Sequence, residues 1–411
     1  MLSVDASEGN TKMGSMKPTI VMLTPDRQID RRILLCADSL ESAGWTVTII
    51  AMPLDGGVDN DRRVIRLRLN RVLEIYRWVR GHLTMNGRLM RWMKRLTWRY
   101  LVKQESFYSS LFYSTGSKYR PCVFVANDLP VLHVARQLAQ ECGAKLVYDS
   151  HELFSEQEFS EHEKRRWSEI EAKHIGACDV VITVNQSIAA ELERRYGVAD
   201  VKVIYNAERT SKSPPVTRRL HEIFGLPLEK KIILLQGGLS AGRNLETLVE
   251  AMRHVQNPSV VLVVLGDGIL SHALEKRAQQ QELSGRVFFH AAVPQNELLA
   301  MTAAADAGVI PYQATCLNNH YCTPNKLFEF IAAGLPVLAT DLPEIRRFVV
   351  GEQIGLVGDT GSPRKLAELI DDFFSDEQRF ADWQANVASA RKNVCWEQEE
   401  KKLVKIYEAL R

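Results

Sequence analysis

Short β-branched runs alternate with helix-length amphipathic stretches along almost the whole chain, and this alternation constrains the fold more than any other feature. In the first half the runs are PTIVML (18–23), TVTIIAM (46–52), RVIRL (63–67), CVFVAN (122–127), KLVYDS (145–150), DVVITV (179–184) and VKVIYN (201–206). In the second they are KIILLQG (231–237), SVVLVVLG (259–266), RVFFHA (286–291), AGVIPY (307–312), PVLAT (336–340) and IGLVGD (354–359). Several carry almost no polar alternation, as strands covered on both faces do. Strand–helix alternation in both halves predicts two doubly wound α/β domains. Between them RTSKSPPVTRRL (209–220) is rich in Ser, Thr, Pro and charge, and reads as a linker.

The 411 residues suit two domains of ordinary size. Residues 1–16 lack an apolar core, so they are no secretory signal and are expected to be disordered. The seven cysteines form no C-x-x-C pair, which points to a reduced, cytoplasmic protein without a zinc cluster. The helix expected over 379–411 could lie back across the N-terminal domain.

Ligands of doubly wound folds bind beyond the C-terminal ends of the strands, so the cleft between two such domains is the expected site. TPNKLFEFIAAGLPV (323–337) is its most telling element. Thr323 and Pro324 read as an N-cap and first helical residue, and Gly334 as the stop. Lys326 opposes the helix dipole, so helix stability does not explain it. With Glu329 one turn on, the pair suits a phosphate and a diol, that is, a nucleotide.

Further motifs face the same cleft. Gly237 and Gly238 permit close backbone approach, and Arg243 at the mouth of the next helix can fork onto a diphosphate. The same residues also fit an ordinary strand–helix turn with an exposed arginine. Gly266-Asp267-Gly268 fits a tight turn better than a cofactor cradle, although it could let a base approach the backbone. His151 and Glu152 follow the strand ending at Ser150 and suit acid–base or acceptor-binding roles. Asp128 is either a second such carboxylate or the cap of the next helix. His151 and His162 lack metal-ligand spacing, so no metal is expected.

From Arg62 to Lys103 the chain carries thirteen Lys/Arg against Glu74 alone, interleaved with Trp, Tyr and Met, although the whole chain is only +2. This pattern suits an interfacial helix on an anionic membrane. A solvated helix with a buried stripe also fits. A nucleic-acid surface could look alike, but no nucleic-acid motif accompanies it.

In their order, KLFEFIAAGLPVLATDLPEI (326–345), VFFHAAVPQNELLAMTAAADAGVIPY (287–312), VYDSHELFSE, VITVNQSIAAELERRYG (181–197) and CWEQEEKKLVKIYEAL (395–410) resemble the retaining glycosyltransferases of the GT-B fold, family 4. The resemblance implies two Rossmann-like doubly wound domains facing across a cleft. These are an acceptor-binding domain over 17–207 and a nucleotide-sugar-binding domain over 221–378, joined by a linker at 208–220. It implies a nucleotide diphosphate sugar, UDP preferred, as substrate, and no cofactor. Glu329 matches the second glutamate of the family's E-x7-E pattern, which binds the ribose. Arg243 matches the cation on the diphosphate, and His151 a histidine near the transferred sugar. The chain departs from the family at Tyr321, where a sugar-binding glutamate is expected, and at Gly238, where an arginine is expected. Asn325 and Lys326 are the candidate compensations, with Gly266, Gly268 and Thr323 completing the donor side. Asp30, Arg31, Asp128 and Glu152 fall on the acceptor side.

The function this implies is transfer of a hexosyl-type sugar, with retention, to a glycan or lipid-linked acceptor at the inner face of the membrane. His151, Asp128, Arg243 and Lys326 would carry the chemistry. Two alternatives share the architecture: a sugar-nucleotide epimerase, and a silent scaffold subunit of a glycan-assembly complex.

Overall fold

The computed structural model describes residues 17–54, 61–68, 103–210 and 217–411. Residues 1–16, most of the basic aromatic segment and residues 211–216 of the linker lie outside the described residues.

All thirteen expected strands are present, in two parallel sheets. The first has the order β3-β2-β1-β4-β5-β6-β7: Thr19–Thr24 (β1), Thr46–Ala51 (β2), Val64–Arg66 (β3), Val123–Asn127 (β4), Lys145–Ser150 (β5), Val180–Thr183 (β6) and Lys202–Val203 (β7). The second has the order β10-β9-β8-β11-β12-β13: Lys231–Gln236 (β8), Val260–Leu265 (β9), Val287–His290 (β10), Ala307–Ile310 (β11), Val337–Thr340 (β12) and Gly355–Gly358 (β13). Both are the doubly wound α/β architecture. The run VKVIYN shortens to two strand residues at the sheet edge, where no further strand among the described residues pairs with it.

Strand order reverses between β1 and β4 in one sheet and between β8 and β11 in the other. Connections leave in opposite directions at such a point and open a crevice above the strand ends. Chain entering the crevice follows β1 (Asp26, Asp30), β4 (Asp128) and β5 (His151) on one side. On the other it follows β8 (Gly237, Gly238, Arg243) and β11 (Tyr312).

The strands are central because both their faces are covered. All six residues of VVLVVL in β9 are buried, and alternate side chains feed two apolar clusters on opposite faces of the second sheet. Ile204 still belongs to a core of the first domain, whereas Ala207 and Leu220 belong to the second, so the chain crosses between domains just before Ala207.

The C-terminal stretch forms two helices rather than the single one expected. Glu377–Asn393 packs on the second core through Trp383, Val387 and Ala390. The chain breaks at Val394, and Trp396–Glu408 crosses to the first domain, burying Trp396, Leu403 and Tyr407 beside Trp45 and Leu40. The return crossing lies against the outward one: the Trp396 backbone N–H donates to Glu208 O at 2.8 Å, and the Tyr205 N–H to Glu399 Oε2 at 3.0 Å.

Candidate functional site

A cleft of about 590 Å³ opens between the two sheets and is lined from both. Its C-terminal wall starts where β8 ends. Gly237 adopts φ +105°, a conformation open to glycine but strained for other residues. The two loops after β8 and β9 cross in near contact: a Cβ on Gly266 would meet Gly237 O at 2.1 Å, and one on Gly268 would meet Leu239 O at 2.2 Å. Gly266 and Gly268 therefore shape the loop beneath the cleft by touching backbone, and neither is among the cleft-lining residues. They lie beneath the lining rather than in it.

Two cations converge on this wall. Arg243 Nη1 donates to Gly238 O at 2.9 Å, which turns the guanidinium back over the glycine loop. Arg243 Cζ and Lys326 Nζ lie 5.7 and 4.9 Å from the centroid of one ring, Tyr312. A ring face attracts cations, so it holds two together that would otherwise repel. Lys326 is 6% exposed and makes no ion pair among the described residues. Burial, with Arg243 beside it, pushes its ammonium down to about 7, against the opposing pull of Glu329. A buried ammonium beside a half-exposed guanidinium, with little counter-charge, is suited to receive an anion.

Lys326 and Glu329 belong to the helix Asn325–Ala333, which ends at Gly334 in the left-handed conformation, φ +83°. The N-terminus differs from expectation. Pro324 occupies the cap position, and the Thr323 hydroxyl is taken instead by Asn185 Nδ2 of the first domain at 2.9 Å. Glu329 accepts a hydrogen bond from Gln236 Nε2, and Gln236 Oε1 in turn accepts from Thr302 Oγ1 at 2.8 Å. The carboxylate is thus aimed before any ligand arrives.

The N-terminal wall is acidic around one histidine. His151 Nδ1 lies 3.5 Å from Asp128 Oδ2 and its Nε2 3.6 Å from Asp149 Oδ2. Burial works against the imidazolium, but the two carboxylates outweigh it and lift His151 to about 9. Burial also pushes Asp128 up to about 7, with His151 opposing. Although burial acts to raise Asp149, the Arg32 guanidinium and His151 hold it below the usual carboxylate range. Asp128 has φ +67°, ψ 160°, a region that only glycine adopts without strain, and such strain gathers at functional sites. It does not cap the following 3-10 turn through its side chain; its Oδ1 instead accepts the His151 backbone N–H at 2.9 Å. Glu152 and Asp26 complete the wall, both raised by burial.

Polar contacts join the walls. Asn318 accepts the Leu153 N–H at 2.9 Å and donates to Glu152 Oε2 at 3.1 Å. Asn206 Nδ2 donates to Asn325 Oδ1 at 3.1 Å.

Of the sequence candidates, Asp30, Asp128, His151, Glu152, Gly237, Gly238, Arg243, Thr323, Asn325, Lys326 and Glu329 line the cleft together. Two others do not. Arg31 turns to Glu208 at the domain crossing, because Asp30 caps the helix and leaves the next side chain on its far side. Tyr321 packs on the first domain's core, and its carbonyl accepts from Asn185 Nδ2 at 2.7 Å; an aromatic ring is better covered there than in a polar cleft. Sequence reading missed Asp26, Asn206, Gln236, Tyr312 and Asn318. Only Gln236 carried a signal, as the polar end of an otherwise apolar strand. The potential metal-ligating group Glu105, His133 and His174 lies outside the cleft lining. Lys173 Nζ, 3.0 Å from Glu105 Oε1, and Arg136 Nη1, 3.2 Å from His174 Nδ1, already engage it.

Comparison with known proteins agrees with this architecture. The family model described as Glycosyltransferase Family 4 matches residues 29–211, and Glycosyl transferases group 1 matches residues 216–390. The chain is 27% identical over 256 residues to a D-inositol 3-phosphate glycosyltransferase of Xylanimonas cellulosilytica, covering 58% of each. It is 23% identical over 211 residues to a chitobiosyldiphosphodolichol beta-mannosyltransferase of Candida albicans, covering 48% of this chain and 46% of the relative. The chain thus spans about half the length of these curated relatives. Among solved structures, a sucrose-phosphate synthase of Thermosynechococcus elongatus superposes with a TM-score of 0.74 at 20% identity, over 96% of this chain and 99% of that one. Anabaena Alr3699/HepE in complex with UDP superposes with a TM-score of 0.68 at 16% identity, over 96% and 100%. These structural likenesses show the fold, which is GT-B. The chain belongs to the family 4 glycosyltransferases.

Proposed function

We propose that the protein transfers a sugar from a nucleoside diphosphate sugar to a hydroxyl acceptor, with retention of configuration and without a metal. One observation carries this reading: Lys326 and Arg243, both over Tyr312, face His151 and Asp128 across the cleft. The diphosphate lies on the cations, Glu329 accepts from the ribose hydroxyls, and the sugar points to His151. UDP complexes of the HepE neighbours support uridine as the base.

The bond from the anomeric carbon to the diphosphate breaks, and its electron pair leaves on the phosphate oxygen. Arg243 and Lys326 stabilise that growing charge, work that elsewhere falls to a metal. The acceptor hydroxyl forms the new bond on the same face and passes its proton to the departing diphosphate. No protein nucleophile is needed. Lys326 takes the place of the arginine that Gly238 lacks. With Tyr321 turned away, the donor sugar meets Asn318, Asn319 and His151 instead.

The basic aromatic segment supports a membrane-associated acceptor, a lipid-linked glycan at the cytoplasmic face. Co-sedimentation with anionic vesicles at low salt tests that part; failure to bind excludes it. For the donor, a thermal-shift panel of UDP- and GDP-sugars is expected to raise the melting temperature with at least one member. A panel that leaves it unchanged throughout would contradict the reading.

A further inference from the structure

Arg32 follows Asp30 and Arg31 at the start of an amphipathic helix, where a cation opposes the helix dipole. It is nonetheless 2% exposed. Its guanidinium forks onto Asp149, Nε to Oδ2 at 3.1 Å and Nη2 to Oδ1 at 2.9 Å. The remaining arm, Nη1, donates to Ile204 O at 2.6 Å and Asn206 Oδ1 at 2.8 Å. Asn206 then reaches Asn325 Oδ1 at 3.1 Å, at the first residue of the helix bearing Lys326 and Glu329. On the other side, Asp149 faces His151 Nε2. One buried side chain therefore touches both walls through one intermediary each. A planar fork with a fixed set of donors can hold such an arrangement; a lysine ammonium cannot make all of these bonds at once.

We propose that Arg32 is a positioning residue, which sets His151 through Asp149 and registers the nucleotide-side helix through Asn206 and Asn325. The inference rests on the donor reading above. The charged groups facing His151 are Asp26, Asp128, Asp149, Glu152 and Arg32 itself.

The test uses Arg32→Gln, Arg32→Lys, Asn206→Ala and the Arg32→Gln/Asn206→Ala double variant. UDP affinity is measured by calorimetry, the His151 imidazole titration by NMR, and folding by near-UV circular dichroism. Asn206→Ala is expected to weaken UDP binding roughly three- to tenfold, the scale of one hydrogen bond, and to leave the titration in place. Arg32→Gln is expected to weaken UDP binding and to move the His151 midpoint upward, since a repelling cation is gone and Asp149 is left to the imidazolium. Arg32→Lys restores the midpoint but not the affinity. The double variant loses no more affinity than Arg32→Gln, because both cut one chain of contacts. Additive losses, or an Arg32→Gln protein with wild-type affinity and midpoint, overturn the proposal. If Arg32→Gln does not fold, Arg32→Lys and Asn206→Ala decide: unchanged UDP affinity in both overturns it. Wild-type protein that binds neither UDP nor GDP defeats the donor reading, and the coupling falls with it. Binding untouched by these variants defeats the coupling alone.

Discussion

Asp128 reaches His151 twice: its Oδ1 accepts the backbone N–H at 2.9 Å, and its Oδ2 lies 3.5 Å from Nδ1. The carboxylate thus fixes both where the imidazole is and how strongly it holds its proton. Asp128→Asn keeps the shape and removes the charge. The His151 midpoint, lifted to about 9 in the wild type, is expected to fall toward the ordinary value of ~6.5. NMR titration of the imidazole reads this. An unmoved midpoint would remove Asp128 as its cause. The linked stability is fully present below ~6.5. It is lost as pH rises through about 9.

The backbone of Asp128 is strained at φ +67°, and its carboxyl is buried. Asp128→Gly and Asp128→Ala both remove the carboxylate that holds His151, but only glycine also relieves the backbone. Asp128→Gly is therefore expected to be more stable than Asp128→Ala by about 1–3 kcal/mol, with sugar-transfer activity lost in both. Equal melting temperatures for the two variants by calorimetry would count against stored strain.

Lys326 has the opposite sign from His151. Burial holds its ammonium near 7, whereas the unfolded chain keeps the proton to ~10.4. Stability therefore rises with pH across that window, because the unfolded state binds more protons. A diphosphate restores the charge, so nucleotide binding above pH 7 takes up a proton. Titrations in buffers of different ionisation enthalpy are expected to show this uptake. Lys326→Arg, always charged, should abolish it while keeping affinity. The same uptake in that variant would place the proton elsewhere.

Trp396 is fully buried under the first domain, with its Nε1–H donating to Ser39 Oγ at 3.0 Å. Trp396→Ala is expected to cost roughly 3–5 kcal/mol, the range for aromatic truncation in a core. Denaturant unfolding measures it. A loss under about 1 kcal/mol would mean that the returning helix does not hold the domain.

The strands and the helix Asn325–Ala333 were legible because their signals are local. β-branched runs mark β8 and β9, and Lys326 and Glu329 share a helix face by spacing alone. The route of the C-terminal chain was only half legible. Nothing local marks Val394 as a break between one helix that stays with its own domain and another that returns to the first. The role of Arg32 was not legible, because nothing local tells what a cation in the first turn of a helix will face. Its partner Asp149 lies 117 residues away and meets it only once β5 stands beside β4 and β1. Tyr321 was recognised as a departure, but its direction depends on Asn185 and the first domain's core, which spacing cannot reveal.

The central claim is that a nucleoside diphosphate lies on Arg243 and Lys326 with its ribose on Glu329. Calorimetric titration of UDP and GDP into wild type and Glu329→Ala tests it most directly. The account predicts that one nucleotide binds the wild type and that the variant loses roughly 1.5–3 kcal/mol, the scale of hydrogen bonds to a charged group. Equal affinity in the two proteins would contradict it.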